Sequence, residues 1–159
     1  MAASATFTPE AKKEAEKLVG KYPDKMAALI PVLHIAQREF GHISPEAEAL
    51  VADMLGLSKT HVHGVVTFYT MFLQKPPGKY LLQLCTNLSC TLNGAESLLE
   101  HVQKKLGVGN GETTPDGRFT LLTVECLGSC DTGPVIQIND DYHENLSKEK
   151  VDEILDGLK

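Results

Sequence analysis

The stretch from Cys85 to Cys130 begins with Cys85-Thr-Asn-Leu-Ser-Cys90 and ends with Cys126-Leu-Gly-Ser-Cys130, and it contains all four cysteines of the chain. The residues between the two pairs, 91 to 125, are patterned as loop, helix, turn and strand. Folding this unit back on itself places both cysteine loops at one end of a sheet. The four thiolates can then meet, which predicts a four-cysteine site.

Several kinds of four-cysteine site are compatible with the count. Structural zinc sites favour two residues within each cysteine pair, whereas four separate the first pair here and three the second, so zinc is the weaker interpretation. Two disulfides or inert thiols also stay open, although the chain has neither a secretory signal nor the cysteine density of a small secreted scaffold. A Rieske centre needs two histidine ligands near the cysteines, and none is close in sequence. The spacing therefore favours an iron–sulfur cluster.

Small and hydroxyl residues surround both cysteine pairs. The glycines are Gly94 and Gly128, and the hydroxyl residues are Thr86, Ser89, Thr91, Ser129 and Thr132. Backbone N–H groups in such loops can turn toward the sulfur atoms of a cluster. This composition adds weight to the iron–sulfur interpretation.

Longer motifs carry a resemblance to a known family. The spacing Cys85-x(4)-Cys90-x(35)-Cys126-x(3)-Cys130 is accompanied by Asn93-Gly-Ala-Glu96 and Glu125-Cys-Leu-Gly-Ser-Cys130, and upstream by Ala36-Gln-Arg-Glu-Phe-Gly-His-Ile43, Gly64-Val-Val-Thr-Phe-Tyr-Thr-Met-Phe72 and Pro77-Gly-Lys79. Across about residues 24 to 158 the chain resembles the small 2Fe-2S subunit of the NADH-oxidising module of respiratory complex I. Relatives of that subunit also serve NAD-linked hydrogenases and formate dehydrogenases. Two departures, His42 for the usual Trp and Asn93 for a frequent Arg, fall outside the cysteine positions.

The resemblance implies a specific cofactor and a specific division of labour. It implies one 2Fe-2S cluster on Cys85, Cys90, Cys126 and Cys130, and electron exchange with the flavin of a partner subunit. It also implies an enzyme only in the sense of a subunit of NADH:quinone oxidoreductase, not catalytic alone. FMN and NADH are then expected on the partner, and this chain has neither a G-x-G-x-x-G motif after a strand nor a P-loop. The alternatives are a zinc-stabilised assembly module and the equivalent subunit of a hydrogenase or formate dehydrogenase.

Periodicity predicts two domains of different class. Residues 1 to 76 predict a helical bundle in which Thr8, Asp24, Ser44 and Ser58 cap successive helices. A Pro/Gly break at Gln74-Lys-Pro-Pro-Gly78 precedes residues 77 to 159, where strands and helices alternate. The fold class is therefore α+β, with a thioredoxin-like β-α-β-β-α domain after the bundle. The helix from Gly94 to Leu106 is predicted to be capped by Asn93.

Charge and hydropathy restrict the partners and the location. Residues 1 to 76 carry eight basic and eight acidic side chains, whereas residues 77 to 159 carry seven and thirteen, so the entire net charge of −6 lies in the cysteine half. Without a basic stripe, nucleic acid is not an expected partner. Neither an apolar run of membrane-spanning length nor a targeting pattern in Met1-Ala-Ala-Ser-Ala-Thr-Phe7 is evident. A cytoplasmic protein, peripheral to the inner membrane through its complex, is expected.

An aromatic group near the end of the first domain has two interpretations. Phe68, Tyr69, Met71 and Phe72 either belong to the core or anchor a partner subunit. The histidines nearby predict no metal site, because His61 and His63 lie two residues apart and point to different sides of a helix.

Overall fold

The computed structural model describes residues 5–159, which form two compact units that divide between Pro76 and Pro77. The expectation that Met1 to Phe7 carries no targeting pattern concerns mainly residues 1–4, which lie outside the described residues. The first unit is helical. Its helices are α1 Pro9–Val19, α2 Leu29–Phe40, α3 Pro45–Leu55 and α4 Lys59–Phe68, with a 3-10 turn at Lys25–Ala28.

Side-chain oxygens begin the helices of the first unit where the sequence predicts them. Thr8, Ser44 and Ser58 each accept a hydrogen bond from the backbone N–H three residues further on. Asp24 caps the 3-10 turn rather than the helix itself. Pro31 lies in the first turn of α2, where its missing N–H removes no helical hydrogen bond. The predicted caps at Thr8, Ser44 and Ser58 are confirmed, because capping depends on neighbours in sequence, whereas α2 itself begins after Ala28 without a side-chain cap.

The core of the first unit is built from side chains that recur at helical spacing. Val32, Leu33, Val51 and Val62 are fully buried. Phe72 is also buried, with 4% of its surface exposed, and its ring packs on His34 with centroids 5.2 Å apart. Of the two interpretations, Phe72 therefore follows the core one, whereas Phe68 is 76% exposed.

The second unit is a five-stranded sheet with helices packed on it. Its strands are β1 Tyr80–Cys85, β2 Glu112–Thr113, β3 Phe119–Val124, β4 Ile136–Ile138 and β5 Asp141–His143, in the order β2-β3-β1-β4-β5. Its helices are α5 Leu88–Leu92, α6 Ala95–Leu106 and α7 Lys148–Gly157. The two central strands, β1 and β3, pair in parallel, and the other pairings are antiparallel. The α+β class predicted from the sequence is confirmed.

Burial in this sheet follows the strand period. Leu82 and Leu84 of β1 and Leu121 of β3 are fully buried, and they form a core with Leu98 and Val102 of α6. Alternation along β1 places these side chains on one face of the sheet, which fixes the register of the strand. The positions of both cysteine loops follow from that register. Among residues 5–159 no helix is both long and apolar enough to cross a membrane.

Two short elements are absent from the sequence prediction. Helix α5 is a five-residue helix begun by Asn87, and Asn93 ends it instead of capping α6. Helix α6 begins after Gly94, whose φ of +92° turns the chain between the two helices without a side-chain cap. The two-residue strand β2 occupies part of the predicted turn. Neither element is long enough to show its own periodicity.

Candidate metal centre

The parallel pairing of β1 and β3 brings the two cysteine loops to one edge of the sheet. Cys85 is the last residue of β1 and lies opposite Val124, the last residue of β3, in the register of the pair. The ladder continues one step further, since the N–H of Thr86 donates to the carbonyl of Val124 at 3.0 Å. The Cys85 Sγ lies 4.0 Å from the carbonyl oxygen of Glu125. The chain therefore enters both loops side by side, as the sequence predicts.

Helix α5 positions the second cysteine of the first pair. The side chain of Asn87 accepts from the N–H of Leu88 and begins the helix, and the Thr91 hydroxyl donates to the carbonyl of Thr86 at 3.1 Å. This turn folds Cys90 back into the protein, where both Cys90 and Cys85 are buried. The two first-loop thiols thus form the inner side of the candidate centre.

The environment of Cys90 opposes its ionisation while no metal is bound. The pKa of the Cys90 thiol is raised to about 11, chiefly by burial, with smaller contributions from the neighbouring thiols of Cys85 and Cys130. A metal ligand must be a thiolate, so metal binding has to displace this proton.

The second cysteine loop forms the outer side of the centre. Cys126 and Cys130 are both exposed. The N–H of Gly128 donates to the Cys126 Sγ at 3.3 Å, with Gly128 at a φ of +74° that favours glycine. Cys130 begins a 3-10 turn, Cys130–Thr132, that contacts α5. The expected N–H donation to sulfur is present at Gly128, whereas the N–H of Gly94 bonds instead to the carbonyl of Thr91.

The donor set fits a two-iron cluster in number and chemistry. None of the four cysteines is engaged in a disulfide. Four thiolates supplied by two loops are the ligand set of a 2Fe-2S cluster. Within residues 5–159, no three His, Cys, Asp or Glu side chains gather tightly enough around one point to hold a single metal ion. The assignment of the ligands therefore depends on the donor chemistry and on the shared edge of the sheet.

The backbone at Gly133 approaches Cys90 closely enough to crowd a larger side chain. A Cβ atom at this position would lie 3.2 Å from the Cys90 Sγ and 3.4 Å from its Cα. The first contact is tighter than ordinary van der Waals packing, and the second lies at its lower limit. The absence of a side chain at Gly133 thus leaves space for the Cys90 thiol.

Substituting Gly133 by alanine is expected to lower the iron and sulfide content and to destabilise the protein. The added methyl crowds a thiol that cannot shift once it is bound to iron, and overpacking of this kind costs roughly 1–3 kcal/mol. Iron and sulfide analysis with thermal unfolding measures both effects. Gly64→Ala, which makes the same change in helix α4 with nothing within 4 Å, is the matched control and should leave both quantities unchanged or raise stability. Wild-type cluster content in Gly133→Ala would contradict this role.

Two histidines of the first unit have structural partners. The His63 Nδ1 lies 3.0 Å from a carboxylate oxygen of the mostly buried Glu48, which joins α4 to α3. His34 packs on Phe72. These contacts account for two of the histidines near the aromatic group.

The family of this chain follows from comparison with known proteins. A family model described as thioredoxin-like [2Fe-2S] ferredoxin matches residues 15–159. The chain belongs to this family. Membership confirms both the thioredoxin-like fold and the 2Fe-2S cofactor expected from the sequence, while the four-cysteine ligand set stays a prediction.

Two curated relatives are similar along most of their length. A subunit of the NADH-quinone oxidoreductase of Rhizobium meliloti (strain 1021) is 47% identical, over 93% of this chain and 88% of that protein. The corresponding NADH-quinone oxidoreductase subunit of Rickettsia conorii is 44% identical, over 97% and 94%. These relatives confirm the resemblance inferred from the sequence motifs.

A solved structure shares the fold at low sequence identity. One chain of an NAD+-reducing [NiFe]-hydrogenase in the H2-reduced state superposes with a TM-score of 0.71 and 22% identity, over 82% of this chain and 22% of that chain. The likeness supports the architecture of this chain.

One group at the centre has no counterpart in the sequence prediction. The carboxylate of Glu144, from the segment after β5, accepts hydrogen bonds from the hydroxyls of Ser129 and Thr132 in the second cysteine loop. Only the pairing of β4 with β5 brings Glu144 near that loop. No local sequence signal marks it.

Proposed function

We propose that this chain is the electron-transfer subunit of an NADH:quinone oxidoreductase of the complex I type, with one 2Fe-2S cluster on Cys85, Cys90, Cys126 and Cys130. The observation that carries the proposal is the exit of both cysteine loops from one edge of the sheet, at the paired ends of β1 and β3. Curated relatives named as subunits of this oxidoreductase support it. When bound, the cluster supplies one-electron oxidation and reduction.

The arrangement of the four thiols gives the centre an inner and an outer side. The buried Cys85 and Cys90 anchor it to the core of the sheet, whereas the exposed Cys126 and Cys130 leave the other side open. An electron can enter or leave on that open side with little intervening protein. We therefore infer that a redox partner docks over the second cysteine loop.

Helix α5 presents apolar surface beside the centre. Leu88 is 69% exposed and Leu92 is 78% exposed, and their spacing of four places them on the same face of the helix. The same helix carries Cys90 and contacts the turn that begins at Cys130. Apolar side chains at the edge of a redox site suit a protein partner that covers it. In this proposal the partner is the subunit that binds flavin and NADH.

The chemistry of NADH belongs to that partner. This chain lacks a dinucleotide-binding motif, so hydride transfer is expected at the partner's flavin, followed by single electrons passing to or from the cluster. A quinone substrate dissolves in the membrane, and the complex that reduces it must reach the membrane. We place this subunit in the cytoplasm, peripheral to the inner membrane through its complex.

Anaerobic purification of the full chain tests the proposal. The protein should be brown and carry about two irons and two acid-labile sulfides per chain. Dithionite should bleach it, whereas NADH should do so only after the flavin subunit is added, because hydride chemistry needs the flavin. Visible absorption, metal analysis and calorimetry with NADH provide the measurements.

Each alternative gives a different result in the same preparation. Stoichiometric zinc without sulfide would be colourless and would indicate the assembly module instead. Tight NADH binding by the isolated chain would refute the division of labour. Chains that co-purify with the native protein identify the parent complex, whether respiratory, hydrogenase or formate dehydrogenase.

A further inference from the structure

The end of β5 and the residues after it, 142–146, cross the second cysteine loop and form hydrogen bonds with it at several points. The hydroxyl of Tyr142 donates to the carbonyl of Leu127 at 3.1 Å. The N–H of Asn145 donates to the carbonyl of Thr132 at 2.7 Å. We name residues 142–146 the strap. It contacts the loop both between Cys126 and Cys130 and after them.

Glu144 is the charged member of the strap. One carboxylate oxygen, Oε1, accepts from the hydroxyl of Ser129 and from the hydroxyl of Thr132, the latter at 2.7 Å, and the two hydroxyl oxygens lie 2.6 Å apart. Ser129 is the residue immediately before Cys130. The carboxylate is therefore hydrogen-bonded to the residue next to Cys130, an exposed cysteine of the centre.

Several contacts keep this carboxylate ionised and in place. The pKa of Glu144 lies below the ordinary value of a glutamate, chiefly because the Ser129 hydroxyl donates to the charged form, with a second donation from Thr132. The Nζ of Lys150, in α7, donates to the backbone carbonyl of Glu144 at 2.6 Å and joins the strap to that helix. A fixed negative charge is thus held against the second loop.

We propose that Glu144 is a positioning residue for the cluster, which fixes the Cys126–Cys130 loop through Ser129 and Thr132 and disfavours reduction through its charge. This role depends on the proposed ligand set. Two separable effects follow. When the Cys126–Cys130 loop is already held in the conformation that binds the cluster, less conformational freedom is lost on binding. The cluster is then bound more tightly and lost more slowly. A carboxylate near the cluster opposes the added electron of the reduced state.

Substitutions at Glu144 in the full chain separate these effects. Glu144→Ala removes both hydrogen-bond acceptance and charge, so loss of the cluster to an iron chelator should be about tenfold faster, as expected for lost hydrogen bonds to a charged group. Its equilibrium for one-electron reduction should shift a few-fold toward the reduced form at low salt, and less at high salt. Glu144→Gln keeps an acceptor oxygen without the charge, and it should show the redox shift with a smaller change in the rate of loss.

A matched control removes a carboxylate elsewhere in the same unit. Glu153 is exposed in the middle of α7, and Glu153→Gln should change neither the rate of cluster loss nor the reduction equilibrium. Chelator kinetics by visible absorption and a mediated redox titration measure the two quantities. A role limited to folding would not produce the salt-dependent redox shift.

The possible results decide between the claims. Wild-type kinetics and wild-type potential in Glu144→Ala would overturn the role of Glu144 while leaving the proposed function intact. If Glu144→Ala does not fold, Ser129→Ala keeps the carboxylate and removes one donor; faster cluster loss supports the proposal and an unchanged rate overturns it. A wild-type chain that binds no cluster under reconstitution would overturn both proposals.

Discussion

Replacing Cys90 by alanine is expected to abolish the cluster, with iron and sulfide falling from about two each per chain to near zero, because a 2Fe-2S cluster needs four thiolates. The same loss is expected for Cys126→Ala. The two variants should nevertheless differ in the metal-free protein. Cys90 is buried, so its alanine variant loses packing, whereas Cys126 is exposed and its side chain has little packing to lose.

This difference separates a ligand from a core residue. Denaturant unfolding of the metal-free proteins should show a loss of about 1 kcal/mol for Cys90→Ala, about the value for one buried methylene-sized group, and almost none for Cys126→Ala. Unfolding with the cluster bound should show a large loss for both, since metal binding is coupled to folding. Ser89→Ala, beside Cys90 in α5, is the control that should keep its cluster. Full occupancy in Cys126→Ala would show that the ligand set is wrong.

Much of this fold is accessible from the sequence because the decisive signals are local. Thr8, Ser44 and Ser58 cap helices using only the next few residues, and the mostly apolar run that leads into Cys85 marks β1. The shared edge of the two cysteine loops also follows from local elements, once a parallel pairing of two strands joined by a helix is assumed.

The features that the sequence does not predict depend on elements that are short or distant. Helix α5 is too brief for a helical period, which is why the sequence pattern places Asn93 at the start of α6 rather than at the end of α5. Glu144 reaches Ser129 only through the pairing of β4 with β5. Such contacts are long-range consequences of topology. The candidate cysteines are visible in the sequence, but the carboxylate that holds their loop is not.

Composition alone also does not show which members of the aromatic group at the end of α4 lie in the core and which lie at the surface. The side-chain amide of Gln37 holds the segment after α4 by donating to the carbonyl of Met71 and accepting from the N–H of Leu73. Held in this way, Phe72 points into the core of the first unit. Phe68 stays at the surface, with its ring in an edge contact with Tyr69 at 5.0 Å.

Opposite outcomes are therefore expected for two alanine substitutions only four residues apart. Phe72→Ala should lower the free energy of unfolding by about 3–5 kcal/mol, as for other buried phenylalanines. Phe68→Ala should leave that free energy almost unchanged, since its ring is largely in solvent. If the first unit docks onto the flavin subunit through this group, Phe68→Ala should also weaken binding to that subunit. The expected loss is about 2 kcal/mol, roughly a thirtyfold rise in Kd, as for an aromatic anchor.

Denaturant unfolding of the isolated chain and titration with the purified flavin subunit measure the two quantities side by side. Tyr22→Ala, which removes another exposed aromatic ring from the same unit, is the matched control for Phe68→Ala and should change neither. Because Phe68 is exposed before any partner binds, its effect on association cannot arise from unfolding, provided that the unfolding curve of the variant overlays the wild type. Equal affinity of Phe68→Ala and wild type for the flavin subunit would remove this ring from the interface, and the exposed Leu88 and Leu92 of α5 would be the next apolar contact to test.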